Sequence, residues 1–395
     1  MFPKLRFKEF DGDWSAVSLL EISTLITKGT TPKQFIEGNI NFLKIEAINQ
    51  NGFDLSKCQT ISDEINNKEL KRSILMEGDI LFAIAGATIG KNAIVQKELL
   101  PANTNQALAI IRLKENYSKV FISKVLNSPL MEKYIDINIS TGAQPNLNLQ
   151  QIGSFSFALP NLEEQTKIAF FLSAVDEKIR QLKQKHELLS QYKQGMMQKL
   201  FSQQIRFKAD DGSEFEEWAS EKISKVFTNK SKSFNPLLNE SLPCIELEHL
   251  SQNTGQILGI VNSSDQQSTK NLFEPNSVLY GKLRPYLRKF AKPQFKGVCS
   301  SEIWVLTGLK ISNDYLFQFV QSEQFTELTN IQSGSKMPRA DWNVIADAEI
   351  EFPCLEEQTK IANFLSAIDQ KINVVSGQIE QAKTWKKGLL QQMFV

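Results

Sequence analysis

The chain has 395 residues, of which 41% are hydrophobic and 9% aromatic. This is enough for two or more packed domains and excludes a chain that is disordered throughout. The formal net charge of +1 argues against a uniformly basic nucleic-acid coat, although it leaves room for a local basic face. No apolar run approaches the roughly 18 residues that cross a bilayer, and the charged start does not resemble a signal peptide, so we expect a cytoplasmic protein with no membrane segment.

The cysteines give no sign of a metal site or a disulfide framework. No C-x-x-C pair occurs, and the chain has only two histidines that could complete a metal site. We therefore expect no bound metal, and reduced structural thiols at Cys58, Cys244, Cys299 and Cys354.

The first block of the chain, residues 1–158, predicts an α+β globule. Runs rich in Ile, Leu, Phe and Ala, bounded by Gly, Asn or Pro, predict strands at residues 41–48, 79–85 and 107–113. Apolar residues at helical spacing predict a helix at residues 120–135.

A long helix is predicted to follow in residues 159–204. Its apolar residues recur at spacings of three, four and seven and form one stripe, which comprises Ile168, Leu172, Val175, Ile179, Leu182, Leu189, Tyr192 and Met196. His186 falls on this stripe. We expect it to pack between helices, because no second metal-binding side chain is nearby in the sequence.

The third block, residues 205–352, has the same plan as the first. It opens with Arg206-Phe207-Lys208, an acidic turn and Trp218, as the first block opens with Arg6-Phe7-Lys8, an acidic turn and Trp14. The two globules are therefore predicted to share one fold while carrying different side chains.

The last block, residues 353–395, predicts a second long helix. Its first residues, Leu355–Ile361, repeat Leu162–Ile168 without a change. Its apolar stripe includes Ile361, Leu365, Ile368, Ile372, Val375 and Ile379. The chain is thus a tandem duplication of one globule and one helix.

The two apolar stripes predict that the long helices pack against each other. Burial of each Leu or Ile contributes on the order of 1.5–3 kcal/mol. Because the second helix has no further domain to reach, we expect it to run back along the first. This predicts an antiparallel, coiled-coil pair with a globule at each end, about 55 Å apart at about 1.5 Å per residue, and an approximate two-fold axis.

No catalytic motif is found. Gly86–Asn92 resembles a phosphate loop but has three residues between its glycines instead of four, and it has Asn92 where Ser or Thr would meet magnesium. No G-x-S-x-G or G-x-G-x-x-G motif is present. The adjacent Glu163 and Glu164 suit the positive end of a helix dipole. We expect no cofactor and no catalytic residue.

Three kinds of segment are candidates for nucleic-acid binding. Residues 281–297 carry no acidic residue and combine aromatic with basic side chains, which neutralise phosphates and read guanine edges. The equivalent segment of the first globule has fewer cations, and a loop before each long helix also exposes polar residues, as does a weaker third segment after Gly29. The candidate DNA-binding residues are Thr30, Thr31, Lys33, Lys91, Asn92, Gln144, Asn146, Lys282, Arg284, Arg288, Lys289, Lys336 and Arg339. A solvated basic loop or a simple structural turn would show the same composition.

The repeated helix starts, LPNLEEQTKIAFFLSAVDEKI and FPCLEEQTKIANFLSAIDQKI, together with GDILFAIAGATIGKNAIV and LYGKLRPYLRKF, resemble the specificity subunit of type I restriction–modification systems. The resemblance covers the whole chain. It implies two target recognition domains, residues 1–158 and 205–352, that each read one half of a bipartite double-stranded DNA site, and two conserved spacer helices, residues 159–204 and 353–395, that set the gap.

The resemblance also implies partners. Two methyltransferase subunits and, in the full complex, two restriction subunits would methylate adenine and cleave DNA, and the methyl donor, magnesium and ATP would belong to them. The rival interpretation from the residues alone is a coiled-coil adaptor whose globules bind protein or RNA. The absence of a catalytic motif disfavours an enzyme in its own right.

Overall fold

A computed structural model of the chain describes residues 3–49, 52–139, 145–331 and 337–394. The chain divides into two units. Unit 1 comprises Met1–Lys183 and Gly377–Val395, and unit 2 comprises Gln184–Ser376. Each unit therefore contains one globule, one half of the first long helix and one half of the second. The four-part division into globules and helices stays a functional prediction.

The first globule has the mixed helix and sheet content of an α+β fold, as predicted. Its strands are β1 (Ser15–Ser18), β2 (Ser23–Lys28), β3 (Ile40–Leu43), β4 (Ile48–Asn49), β5 (Gly52–Phe53), β6 (Gln59–Ile61), β7 (Ile80–Ala83), β8 (Asn92–Ile94), β9 (Ala102–Thr104), β10 (Leu108–Leu113) and β11 (Ser156–Leu159). Its helices are α1 (Leu19–Ile22), α2 (Lys119–Leu126), α3 (Pro129–Asn138) and α4 (Leu149–Gly153), and the long helix α5 (Leu162–Phe201) follows.

The second globule repeats this order. Its strands are β12 (Ala219–Lys222), β13 (Phe227–Thr228), β14 (Ser233–Phe234), β15 (Pro243–Ile245), β16 (Val261–Asn262), β17 (Lys270–Phe273), β18 (Val278–Gly281), β19 (Phe290–Ala291), β20 (Gly297–Cys299), β21 (Ile303–Gly308) and β22 (Glu349–Phe352). Its helices are α6 (Ile223–Val226), α7 (Asn313–Phe319), α8 (Glu323–Thr329) and α9 (Trp342–Asp347), and the long helix α10 (Leu355–Met393) follows.

Each globule is built on an antiparallel four-stranded sheet. Its strand order is β2-β10-β7-β8 in the first globule and β13-β21-β18-β19 in the second. Each globule has a second sheet, which has three strands in the order β6-β3-β9 in the first globule and five strands in the order β14-β17-β20-β15-β16 in the second. The central strands β7 and β18 are buried on both faces, which explains their continuous apolar sequences.

Two predicted elements of the first globule end earlier than expected. The helix predicted at residues 120–135 is two helices, α2 and α3, because Pro129 has no N–H to continue α2 and instead occupies the first position of α3. The strand predicted at residues 41–48 ends at Leu43 and continues as a turn at Ile45–Ala47 and the short β4.

The hydrophobic core of each unit extends from its globule onto both long helices. In unit 1, Leu172 of α5 and Leu389 and Met393 of α10 pack with the globule core. In unit 2, the core includes Leu200 of α5 and Leu365 of α10. The helix halves in unit 1 run antiparallel, since Phe171 contacts Trp385 while Leu182, further along α5, lines a groove with Gln378, earlier in α10.

The predicted apolar stripes are buried with a few exceptions. Ile168, Leu172, Val175, Ile179, Leu182, Ile361, Leu365, Ile368, Val375 and Ile379 are buried, and Ile372 is half-buried. Tyr192, which the spacing predicts on the stripe, is 52% exposed, and the neighbouring Lys193 is buried instead. Among the described residues, no helix is both long and apolar enough to cross a membrane.

A buried carboxylate joins the start of α5 to the first globule. Glu164 is fully buried and accepts hydrogen bonds from Arg6 Nε and Nη2 at 2.7 and 2.8 Å, and from Trp14 Nε1 at 3.2 Å. The hydrogen bond with Glu164 raises the pKa of Arg6. We name this arrangement the helix-start clamp. The dipole interpretation of Glu164 was therefore incomplete, because this side chain is a buried ion-pair partner.

The same helix-start clamp occurs in the second globule. Glu357 is fully buried and accepts hydrogen bonds from Arg206 Nη2 at 2.7 Å and from Trp218 Nε1 at 3.1 Å. The Arg and Trp signals that the two globules share at their starts are thus explained by one structural contact. A buried charge is stable only when it is paired and hydrogen-bonded, and both helices satisfy that condition in the same way.

The glutamine that follows each buried glutamate extends the clamp. The Gln165 side-chain oxygen accepts from the backbone N–H of Ser118 at 3.0 Å, and its amide donates to the Pro160 carbonyl at 2.8 Å. Gln358 makes the equivalent bonds with Ser312 and Pro353, both at 2.8 Å. Because Ser118 and Ser312 are the N-caps of α2 and α7, each clamp also fixes a helix of the globule.

An ion pair joins the two long helices within each unit. In unit 1, Asp176 of α5 pairs with Lys386 of α10 at 2.6 Å and with Lys124 of α2 at 2.5 Å. In unit 2, Asp369 of α10 pairs with Lys193 of α5 at 2.6 Å. Burial lowers the pKa of Lys193, an effect that the charge of Asp369 opposes. This pairing explains why Lys193 faces inward.

Removing the buried charge of a clamp is expected to destabilise its unit. Glu164→Gln leaves the Arg6 guanidinium, which is 13% exposed, without its carboxylate. We expect a loss of about 3 kcal/mol in the free energy of unfolding, at the lower end for a broken buried pair. Urea denaturation measures it, with Glu163→Gln, an exposed neighbour, as the matched control at about 0.5 kcal/mol or less. Equal midpoints for the two variants would contradict the clamp.

The Asp176 cluster is expected to make unit 1 sensitive to acid. Burial alone would raise the pKa of Asp176, but hydrogen bonds from Lys124 and Lys386 outweigh this effect and hold the pKa below that of an ordinary aspartate. A carboxyl group with a lowered folded-state pKa stabilises the fold above its unfolded pKa and loses that contribution as the pH falls through the folded pKa. Below about pH 4, the urea concentration at the unfolding midpoint of the native chain should therefore decrease.

The matched variants for this effect are Asp176→Asn and Asp136→Asn, the second at an exposed position of α3. Asp176→Asn should lower the midpoint at pH 7 and flatten its decline with acid, because two lysines lose their partner. Asp136→Asn should keep the native profile. If the urea midpoint of Asp176→Asn decreased with acid as steeply as that of the native chain, other groups would be responsible for the acid sensitivity.

Candidate nucleic-acid interface

In the first globule, two of the predicted binding segments are joined by backbone hydrogen bonds. After β7 the chain turns through Gly86–Thr88. The Gly86 N–H donates to the Pro145 carbonyl at 3.1 Å, and the Leu147 N–H donates to Ile84 at 2.9 Å. Residues 84–91, which we name corner 1, are therefore held against the segment that begins at Pro145.

The second globule builds the same junction. After β18 the chain turns through Pro285–Leu287. The Arg284 N–H donates to the Pro338 carbonyl at 2.8 Å, and the Ala340 N–H donates to Lys282 at 2.9 Å. Residues 282–289 form corner 2. Two segments that lie far apart in sequence thus form one surface in each globule.

The two corners share a backbone conformation that favours glycine. In corner 1, Gly86 and Gly90 have φ values of 77° and 92°. At the equivalent ends of corner 2, Arg284 and Arg288 have φ values of 52° and 47°. Residues other than glycine rarely adopt this left-handed region, because Cβ approaches the following carbonyl oxygen. Corner 2 therefore has arginine at two positions whose backbone conformation favours glycine.

Strand register brings the third predicted segment to the same end of the first globule's sheet. Ala83, the last residue of β7, lies opposite Leu108, and Lys28, the last residue of β2, lies opposite Ala109. The chain beyond β2 therefore emerges beside corner 1. Thr30, Thr31 and Lys33 lie on this segment.

The segment beyond β2 is bound to the rest of the globule and includes a cation that sequence reasoning missed. Arg72 donates to the Thr30 hydroxyl at 3.3 Å. The Lys33 N–H donates to Glu69 at 2.8 Å, and Thr31 bonds Gln106. The adjacent basic pair Lys71-Arg72 was the available signal, but nothing in the sequence linked it to Thr30.

Most cations of the second globule's basic segment have partners from elsewhere in the fold. Arg288 donates to the Gln321 carbonyl and pairs with Glu323 at 3.4 Å, and Lys289 donates to the Leu247 carbonyl at 2.7 Å. Acidic residues from other parts of the fold thus balance part of this segment's charge.

Corner 2 still presents basic side chains to solvent. Among the residues that the structure describes, the side chains of Lys282 and Arg284 make no hydrogen bond or ion pair, and Arg284 is exposed. Arg339 is half exposed and pairs with Glu302 at 3.1 Å, and the hydrogen bond to Glu302 raises its pKa. Tyr286, at the tip of corner 2, is 55% exposed and adds an aromatic face.

The side chains around corner 1 are less charged. Lys91 is half-buried and Asn146 is exposed. Asn92 is 8% exposed, and its side chain accepts a hydrogen bond from the Ser123 hydroxyl at 2.8 Å. It was predicted to contact DNA, but its amide packs inside the globule. Gln144 and Lys336, also predicted as binding residues, lie outside the described residues.

The chemistry of these surfaces suits a nucleic acid. Arginine, lysine and hydroxyl groups contact phosphates, while arginine and amide groups pair with base edges in the major groove. In the described ranges, no group of three or more His, Cys, Asp or Glu side chains is placed to hold a metal ion.

Comparison with known proteins gives a consistent result. The family model described as the type I restriction modification DNA specificity domain matches residues 11–191 and 216–384. Among curated relatives, the putative type I restriction enzyme MjaX specificity subunit of Methanocaldococcus jannaschii is 26% identical, with 98% of this chain and 94% of the relative covered. The MjaVIII specificity subunit of the same organism is 25% identical, covering 97% and 94%.

Solved structures share the fold. The type I restriction–modification S subunit from M. genitalium matches with a TM-score of 0.60 at 15% identity, covering 100% of this chain and 99% of that one. A chain from a study of complex assembly of the type I R-M system matches with a TM-score of 0.61 at 16% identity, covering 97% and 98%. With two matched domain copies spanning most of its length, the chain belongs to the type I restriction–modification DNA specificity family.

Proposed function

We propose that this non-catalytic specificity subunit reads a bipartite DNA site, with corner 1 and its flanking segments on one half and corner 2 on the other. The observation that carries the proposal is the common backbone of the two corners, which present different side chains. Exposed polar groups on a fixed backbone can form base contacts, and a change of side chain at one corner changes only the half that it meets.

The repeated helix starts support the docking of two copies of one partner. The clamps account for the identity of the repeated glutamate and glutamine. They do not account for the identity of three exposed residues, Leu162, Glu163 and Thr166, which recur as Leu355, Glu356 and Thr359. Leu162 is 47% and Leu355 is 62% exposed. We infer that these matched surfaces bind two methyltransferase subunits and that two restriction subunits join the full complex.

The long helices are the proposed ruler for the gap between the two half-sites. They have 40 and 39 residues, so each is about 60 Å long at about 1.5 Å per residue. A change in either globule should therefore leave the gap unaltered, because the gap depends on the helices.

The test exchanges one globule for a copy of the other. Replacing residues 205–352 by a copy of residues 5–159 supplies Arg6, Trp14 and Ser118, which the start of α10 needs for its clamp. Methylome sequencing of a host that expresses the chimera with its methyltransferase should show both half-sites carrying the sequence of the first half, with the same gap. A chimera that folds and keeps the original second half would contradict modular reading.

Lys282 is expected to contact a phosphate. Each phosphate contact that is lost reduces the slope of log K against log salt by roughly one unit. Lys282→Ala in the complex should therefore weaken DNA binding at all sequences and flatten its salt dependence. Lys296→Ala, which removes an exposed cation paired with Glu274, is the matched control and should keep the native slope. Equal slopes for the two variants would remove Lys282 from the phosphate contacts.

A further inference from the structure

Corner 1 and corner 2 are equivalent residue by residue. The Ala83 N–H donates to Lys91 and the Gly281 N–H donates to Lys289, both at 2.8 Å, so each corner is closed by the same backbone bond. Gly86 and Arg284 are therefore matched positions, and each donates its N–H to a proline carbonyl on the neighbouring segment.

Crowding does not explain the glycine of corner 1. A Cβ atom at Gly86 would have no heavy atom within 4 Å, so the position has room for a side chain. Its φ of 77° explains the glycine, because this conformation is strained for other residues. The same strain therefore applies to Arg284 in corner 2.

The two strained arginines of corner 2 differ in what they contact. Arg288 is held by the Gln321 carbonyl and by Glu323, which stabilise its conformation within the fold. The Arg284 side chain has no such contact among the described residues and is exposed. Strained residues concentrate at functional sites, and nothing inside the described globule accounts for an arginine at this one.

The backbone around Arg284 is fixed on both sides. Its N–H is bonded to Pro338, a short bridge joins Leu283 to Arg339, and the buried Pro285 follows. The backbone from which the Arg284 side chain extends is thus fixed, and this favours a contact that depends on direction. A phosphate requires only a positive charge nearby, whereas a bidentate pair with a base requires a planar fork at a defined angle.

We propose that Arg284 is a specificity-determining residue that recognises a guanine in the second half-site through a bidentate pair with the base's O6 and N7. Gly86, at the matched position of corner 1, has no side chain that could make this contact. The inference deepens the proposed function and rests on it. It adds a base identity to one position, which the shared fold alone does not supply.

The test uses the full chain with its methyltransferase and duplexes varied at each position of the second half-site. The native complex should methylate the preferred guanine about 10- to 100-fold faster than the other bases at one position. Arg284→Gly, which restores the residue that the conformation favours, should fold and reduce this ratio to about 1, with the first half-site unchanged. Arg284→Lys keeps the positive charge but lacks the planar guanidinium group. It should therefore also lose the preference for guanine, while its DNA binding keeps the native salt dependence.

Lys296→Ala is the matched control, because this cation lies outside corner 2 and pairs with Glu274. It should leave the base preference unchanged. Retained guanine preference in Arg284→Lys, together with uniformly weaker binding in Arg284→Gly, would make Arg284 a phosphate contact and overturn the inference. A native complex without bipartite methylation would instead overturn the proposed function.

Discussion

The buried glutamate at the start of each long helix holds the architecture together. Glu164 and Glu357 are fully buried, and each is neutralised by an arginine and hydrogen-bonded by a tryptophan of its own globule. An unpaired buried carboxylate would cost several kcal/mol, so the helix can be placed only where the arginine meets it. The adjacent glutamine then fixes a neighbouring helix cap. This constraint orients each helix start relative to the sheet that carries the corner.

Within that frame, the two globules combine a constant backbone with variable side chains. Corner 1 and corner 2 have the same closing hydrogen bonds and the same pair of left-handed residues, but one uses glycine and the other arginine. In the proposed function, the repeated features provide equivalent docking surfaces for the partners, and the differing side chains read two different DNA halves. The buried residues that repeat serve the fold, and the exposed residues that differ form the proposed recognition surface.

Sequence patterns predicted much of this organisation. The repeat of Leu162–Ile168 revealed the duplication, and the helical spacing of apolar residues identified both long helices. The burial of Asn92 and Lys193 was not predictable, because a polar side chain turns inward only where a distant partner receives it. For Asn92 that partner is Ser123, and for Lys193 it is Asp369. The break before Pro129 was visible in the sequence but was outweighed by the apolar periodicity around it.

The sequence by itself determined the duplication, the α+β class and the resemblance to a specificity subunit, since these depend on local periodicity and on repeated motifs. Only the tertiary structure decided which charges are available to a partner. Arg6 and Glu164 are 158 positions apart and meet in a buried pair, whereas Arg284 and Arg288 are near neighbours with different surroundings. Whether a charge is neutralised depends on distances in space, and a segment read alone contains none of the residues that fold back onto it.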